Sequence, residues 1–133
     1  MNQTFFITLP VIDVAKSSDF FQALGFSLNP QFTGNGAACV VINGAVSIML
    51  LPRERFTEFS PKPLCDPAHA EALFNIGCDS RAQVDDIVAR AEKAGGKIHE
   101  RSVDYGFMYH GSFADIDGHL WGLNCISGTP PQG

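Results

Sequence analysis

The chain has 133 residues, 45% of them hydrophobic, and a formal net charge of −5. This length and apolar content are enough for one globular domain with a buried core. The acidic balance argues against nucleic acid and membrane surfaces as partners, because both bind through an excess of Lys and Arg. The first apolar segment has no positive flank and is too short to cross a bilayer, so we predict a cytoplasmic protein.

The residue pattern in the first half of the chain predicts a strand, a helix and three further strands. Apolar residues recur with period two over residues 5–11, as in a strand with one buried face. Asp13 is the predicted N-cap of the helix, and Gly25 is the left-handed residue that ends it. Asn43 followed by Gly44 is a strong hairpin signal. The predicted strands of this β-α-β-β-β half are residues 5–11, 26–32, 37–42 and 46–51.

The segment that follows is rich in proline. Four of the eight prolines of the chain lie within residues 52–70. Because proline at this density disrupts regular structure, we predict a Pro-rich loop over residues 53–70. A loop of this length is either a solvated connector or a lid over a pocket.

The second half repeats the order of the first. Ser80 followed by Gln83 is a capping-box pattern, and Gly95 ends the helix that starts there. Asp117 and Gly118 turn the last hairpin. Because these signals recur about half a chain apart, we predict a single domain of two modules, about residues 5–52 and 71–126. The predicted strands of the second module are residues 72–78, 97–99 and the two arms of a hairpin over 107–125.

The segment Asp115–Leu123, which reads DIDGHLWGL, resembles the closing signature of the vicinal oxygen chelate superfamily, Asp-Pro-Asp-Gly-Asn/His-x-x-Glu-Leu. Further support comes from Leu9–Asp13, Leu24–Phe26 and Ala94–Lys97. The superfamily contains glyoxalase I, extradiol dioxygenases, fosfomycin-resistance enzymes and bleomycin-resistance proteins. The resemblance extends over Phe5–Cys125, which is most of the chain.

This resemblance implies an α+β fold in which two tandem βαβββ modules form a curved mixed sheet around a pocket, the glyoxalase/bleomycin-resistance/dioxygenase fold. A ferredoxin-like α+β sandwich is the alternative, and it needs one hairpin fewer in each half. Many relatives complete their pockets across subunits, so the resemblance also implies a homodimer.

The resemblance further implies where a metal would be held. The first-strand ligand of the superfamily falls on Phe6, the fifth-strand ligand on or near Leu73, and the closing-strand Glu on Gly122. None of these side chains can bind a metal, so we predict no cofactor and leave open whether the protein is an enzyme. The alternative is a divalent-metal lyase, isomerase or dioxygenase with displaced ligands such as Glu71 and His110.

Strand periodicity places the three inferred ligand positions on the faces opposite the helices, where Gly122 would leave a hole. Apolar walls with a few amides and hydroxyls suit a small organic molecule. We therefore predict a bleomycin-resistance-like protein that binds a small, partly apolar molecule between its modules, with a non-catalytic dimeric interaction module as a further alternative. The predicted ligand-binding residues are Phe6, Thr8, Leu73, Asn75, Tyr109, His110, Leu120 and Gly122.

Three polar residues of the closing segment have simpler roles than catalysis. His119 shares its predicted strand face with Trp121, so we expect it to pack against the hairpin or cap it. Asp117 is required by the turn, and we expect Asp115 at the rim of that turn. We therefore do not interpret the two aspartates as an acid–base pair.

Overall fold

The computed structural model describes residues 3–129, and the chain divides into two compact units, Met1–Asp66 and Pro67–Gly133. Each unit contains one four-stranded mixed sheet and the helix that connects its first two strands. This arrangement confirms the α+β class and the two βαβββ modules.

The first unit pairs its first strand with its last. The sheet order is β1-β4-β3-β2, in which β1 and β4 are parallel and the other neighbours are antiparallel. A parallel pair needs a crossover connection, which the helix after β1 provides. The elements are β1 (Phe5–Val11), α1 (Val14–Ala23), β2 (Ser27–Leu28), a 3₁₀ turn (Pro30–Phe32), β3 (Ala38–Val41), β4 (Val46–Pro52) and α2 (Arg53–Phe59).

The second unit has the same topology. Its sheet order is β5-β8-β7-β6, and here β5 and β8 form the parallel pair. Val103 and Asp104 form the short edge strand β6, which pairs with β7. The elements are β5 (Leu73–Gly77), α3 (Arg81–Lys93), β6 (Val103–Asp104), β7 (Met108–Ala114) and β8 (Leu120–Ile126).

Each unit buries one face of its sheet. Successive side chains of a strand point to opposite faces, so alternate residues of a strand such as β1 are buried in the core. Leu9 and Val11 of β1 are buried in the first unit, whereas Thr8, which precedes Leu9 and points to the opposite face, is exposed. Further large core residues are Phe20, Phe21, Leu24, Val40, Ile48, Leu50 and Leu51 in the first unit, and Val84, Ile87, Phe113, Trp121 and Leu123 in the second.

The predicted helix caps are confirmed. The Asp13 side chain accepts a hydrogen bond from the Lys16 N–H, and Ser80 accepts one from Gln83. The Gln83 side chain reaches back to the N–H of Asp79, so two donors at the start of α3 are satisfied. None of the helices in residues 3–129 has the length and apolar run that a bilayer span requires.

The expected loop over residues 53–70 is wrong for its first seven residues, which form α2. The reason is the position of the prolines. Pro52 precedes the helix, where its missing N–H costs nothing, and Pro61 follows its end. The intervening residues contain no proline and are free to become helical.

Two predicted short strands also differ from the structure. Residues 26–32 contain only the two-residue strand β2, because Pro30 starts a 3₁₀ turn that the Asn29 side chain caps. Lys97 makes an isolated bridge to Ala114 instead of a strand over residues 97–99. The edge strand lies further along the chain, at β6.

Gly111 sets the close approach of α3 to β7. A Cβ at Gly111 would lie 2.8 Å from Val84 Cγ1 and 2.9 Å from Val88 Cγ2. Both methyl groups belong to β-branched side chains, which have little rotamer freedom in a helix. The helix can therefore pack at this distance only against a residue without a side chain.

We predict that Gly111→Ala lowers the free energy of unfolding by about 1–3 kcal/mol, the usual cost of overpacking a core. Urea unfolding followed by circular dichroism measures this change. Gly44→Ala is the matched control, because no atom lies within 4 Å of the added Cβ. Equal stability of the two variants would show that α3 is free to shift away from β7.

Candidate functional site

The inner face of the first unit, opposite its core, is covered by α2. Helix α2 contacts β1 and β4, and Thr8 on β1 pairs in register with Met49 on β4. A cavity of about 620 Å³ lies between the helix and this face. Its walls are Thr8, Ala37, Met49, Leu51, Arg55, Phe56, Phe59 and Ser60.

Most of this cavity wall is apolar, and its polar groups are few. Thr8 and Ser60 contribute hydroxyls, and Arg55 contributes a guanidinium. Arg55 Nη1 donates a hydrogen bond to the carbonyl oxygen of Asn35 at 3.2 Å, which ties α2 to the turn before β3. The segment after β4 thus forms a cover over a cavity, which favours the lid interpretation over that of a solvated connector.

Phe6 does not line this cavity. Its side chain is 47% exposed, and its ring lies edge-on against Phe32 with the centroids 5.9 Å apart. The position that the resemblance assigns to a metal ligand is thus occupied by an aromatic contact. A ligand-binding role for Phe6 stays a prediction.

The inner face of the second unit carries five of the predicted residues. Leu73 pairs with Leu120 and Asn75 pairs with Gly122 across the parallel strands. His110 on β7 pairs with Asn124, two residues beyond Gly122 on the same face. The five predicted residues line a cavity of about 460 Å³, together with His99, Glu100, Ser112, Phe113 and Trp121.

A chain of polar contacts crosses this second inner face. Asn124 Nδ2 donates to Asn75 Oδ1 at 3.2 Å, and Asn124 Oδ1 lies 2.5 Å from His110 Nδ1. Because a carbonyl oxygen can only accept, His110 carries its proton on Nδ1. In the neutral ring Nε2 is then the acceptor. The two amides therefore orient the imidazole.

The expected hole at Gly122 is filled. A Cβ at this position would lie 2.1 Å from Asn75 Oδ1 and 2.9 Å from His110 Cε1. The space that the superfamily gives to a glutamate is thus taken by the side chains of two neighbouring strands. Because Gly122 has no side chain, it accommodates the polar contacts of this face. A metal-ligating side chain at this position would overlap with Asn75 and His110.

The expectation that Tyr109 lines the inner face is wrong. Its hydroxyl donates to Asp85 Oδ1 on α3 at 2.6 Å, and Arg81 of the same helix lies 5.2 Å from its ring centroid. The hydrogen bond to the Asp85 carboxylate raises the pKa of the phenol. Adjacent strand residues point to opposite faces, so Tyr109 and His110 cannot both point inward.

Asp115 is buried inside the closing hairpin, with 5% of its surface exposed, so the expected place at the rim is wrong. Its carboxylate accepts hydrogen bonds from the N–H groups of Asp117 and His119 and from Trp121 Nε1. Burial raises the pKa of Asp115, although these donors and His119 oppose the rise. Asp115 therefore organises the turn from within.

His119 packs inside the same hairpin, with 7% of its surface exposed. Its Nδ1 contacts Glu71 Oε1, and the Asp115 carboxylate accepts from its backbone N–H. Glu71 is thus engaged at the hairpin, whereas His110 contacts Asn124 on the inner face. The two displaced ligands proposed from sequence have separate partners.

The donor set does not fit the metal of the superfamily. The three positions inferred from the resemblance are a phenyl ring, an isobutyl group and a glycine. Within residues 3–129 there is also no group of three or more His, Cys, Asp or Glu side chains that could hold a metal ion. No chemical step is therefore assigned to a metal at this site.

Comparison with known families supports the resemblance seen in the sequence. Residues 3–43 match the family described as bleomycin resistance protein-like N-terminal. No curated protein matches the chain. This match over the first part of the chain and the solved structures that share the fold agree with the vicinal oxygen chelate resemblance.

Three solved structures illustrate the likeness. A hypothetical protein from S. aureus is 24% identical, with a TM-score of 0.79, and the match covers 93% of this chain and 92% of that one. A glyoxalase-related enzyme from Fulvimarina pelagi is 18% identical, with a TM-score of 0.79 and coverages of 100% and 94%. A glyoxalase/bleomycin resistance protein/dioxygenase family enzyme from Burkholderia phytofirmans PsJN is 18% identical, with a TM-score of 0.76 and coverages of 91% and 96%. At these identities the likeness establishes the fold.

We predict that Gly122→Ala lowers the free energy of unfolding by about 1–2 kcal/mol, because Asn75 must rotate away and lose its hydrogen bond to Asn124. In an Asn75→Ala background the same substitution should cost much less. Chemical unfolding of the four proteins of this double-mutant cycle measures the coupling.

Gly77→Ala on β5 is the control, since no atom lies within 4 Å of its added Cβ. An equal cost of Gly122→Ala in both backgrounds would contradict the assignment of the filled space to Asn75.

Proposed function

We propose that this chain, which has the glyoxalase/bleomycin-resistance/dioxygenase fold, binds a small, partly apolar organic molecule in the cavity beneath α2. The observation that carries the proposal is the cavity of about 620 Å³ between α2 and the inner face of β1 and β4. Its volume lies within the range of roughly 300–1,000 Å³ that small-molecule sites occupy.

The walls of this cavity suit such a molecule. Met49, Leu51, Phe56 and Phe59 offer apolar surface, and burial of a ligand against it supplies the main driving force. Thr8 offers a hydroxyl that can fix orientation, whereas the Ser60 hydroxyl already forms hydrogen bonds with the Lys62 backbone. Phe59 is 69% exposed, so a bound ligand would also remove apolar surface of this residue from water.

The helical cover supports binding rather than a purely structural role. Helix α2 has seven residues, which is too short for a helix to be stable in isolation. Its residues gain stability by contacting β1 and β4, and a ligand that fills the cavity would add contacts to both sides. A lid of this kind admits and retains a small molecule without any metal.

Other features of the prediction remain proposals. A binding role for Leu73, Asn75, His110, Leu120 and Gly122 would place a second contact surface on the inner face of the second unit. The homodimer and the cytoplasmic location likewise stay predictions, and light scattering of the purified protein would measure the first.

We predict that Ala37→Phe abolishes ligand binding, because the ring would enter the cavity that Ala37 lines. The measurement is a thermal-shift screen of small organic acids, amines and neutral aromatics against the wild-type chain. A ligand at 100 times its dissociation constant should stabilise the fold by about 2.7 kcal/mol.

Ala45→Phe is the matched control, since Ala45 is exposed in the β3–β4 turn and does not line the cavity. A hit that stabilises the wild type and both variants equally would place its binding elsewhere and refute the proposal.

We also propose that the chain works without the metal of the superfamily. Melting curves with Zn²⁺, Ni²⁺, Mn²⁺ and Fe²⁺, each added to untagged protein, should then coincide with the metal-free curve. Stabilisation of about 2–3 kcal/mol by one ion, with stoichiometric metal in the purified protein, would contradict this and favour an enzyme with displaced ligands.

A further inference from the structure

Arg55 is the charged residue among those that line the cavity beneath α2. The side chain is half-buried and shares the cavity wall with Phe56 and Phe59 of the same helix. A cation in such a wall is surrounded by less water than one on an open surface, and its interaction with an anion is correspondingly stronger. The partner of Arg55 therefore decides whether the cavity prefers an anionic or a neutral ligand.

Arg55 has no acidic partner among residues 3–129. Ion pairs within this range, such as Arg81–Asp104, Arg90–Asp86 and His119–Glu71, do not include Arg55. Glu54 and Glu58 belong to α2 but neither lines the cavity nor pairs with Arg55. Within the described residues, the positive charge of Arg55 is thus not paired with a carboxylate.

The hydrogen bond of Arg55 to Asn35 leaves part of its guanidinium available. Nη1 donates to the carbonyl oxygen of Asn35, and this neutral acceptor positions the group without cancelling its charge. A guanidinium has five N–H donors in a planar fork. The remaining donors can bind a carboxylate or sulfonate through two parallel hydrogen bonds, a geometry that an ammonium group does not offer.

We infer that the cavity selects an organic anion, a molecule with one carboxylate or sulfonate group on an apolar, aromatic-sized body. This inference rests on the proposed function and names its ligand class. Arg55 binds the anionic group near the Asn35 side of the cavity. The apolar body lies against Met49, Leu51 and Phe56, and Thr8 provides a hydroxyl for a second polar group.

Two fluorescent dyes test this selectivity, because they share one aromatic skeleton and differ in charge. 8-Anilinonaphthalene-1-sulfonate carries the anionic group, and N-phenyl-1-naphthylamine lacks it. We predict that Arg55→Met weakens binding of the sulfonated dye by about tenfold to a hundredfold, as expected for a lost charge-assisted hydrogen bond. Binding of the neutral dye should change by no more than about twofold, since Met retains most of the apolar stem.

Arg53→Met is the matched control, because it removes the same charge from the same helix at a residue that does not line the cavity. It should leave both dissociation constants within about twofold. Arg55→Lys should have an intermediate effect on the sulfonated dye, since it keeps the charge and loses the fork. If Arg55→Met does not fold, as its melting curve would show, Arg55→Lys and Arg53→Met carry the comparison.

The outcomes separate this inference from the proposed function. Equal weakening of both dyes by Arg55→Met, or equal loss of the sulfonated dye in the Arg53 and Arg55 variants, overturns anion selection while the cavity still binds. Failure of both dyes to bind, or binding that Ala37→Phe does not reduce, refutes the proposed function itself. Selective loss of the sulfonated dye with Arg55→Met alone supports the inference.

Discussion

The parallel pairing of the first and last strands of each unit is the constraint on which the rest of the structure depends. In the first unit it runs in register from Phe5↔Val46 to Val11↔Pro52, and in the second from Leu73↔Leu120 to Gly77↔Asn124. A parallel neighbour cannot be reached through a tight turn, so a helix must cross one face of the sheet. That crossing buries one face and leaves the other for a site.

The inner faces of the two sheets differ in what covers them. In the first unit, α2 covers the face and leaves a cavity with apolar walls and a single cation. In the second unit, the amides of Asn75 and Asn124 and the ring of His110 contact one another across the sheet. Gly122 permits these contacts because it has no side chain. Polar side chains of the protein itself therefore occupy the space at the position to which the resemblance assigns a glutamate.

Much of the fold was predictable because its signals are local. The caps at Asp13 and Ser80 depend on a few neighbouring residues, and the buried face of β1 depends only on its period. Helix α2 departs from the prediction because the number of prolines indicates a loop, whereas their positions are compatible with a helix. Pro52 and Pro61 flank the helix at places where a helix tolerates proline.

The contacts of the site were less predictable, since they join residues far apart in the sequence. The side chain of Asn75 fills the space at Gly122 from another strand, and no local pattern reveals this. Asp115 is buried because the Trp121 indole reaches back across the hairpin to its carboxylate. Strict alternation with His110 excludes Tyr109 from the inner face, so this error, like that at α2, was avoidable from the sequence.

Because Arg55 lies on α2, the charge of a ligand would affect how stably this helix covers the cavity. The sheet contributes Thr8 and Met49, whereas the helix contributes Arg55 and Phe56, so a ligand that contacts both groups also binds the helix to the sheet. The Asn35 carbonyl already provides one such link. Because a seven-residue helix depends on its packing for stability, an anion that pairs with Arg55 would stabilise the closed cover, whereas a neutral molecule of the same shape would stabilise it less.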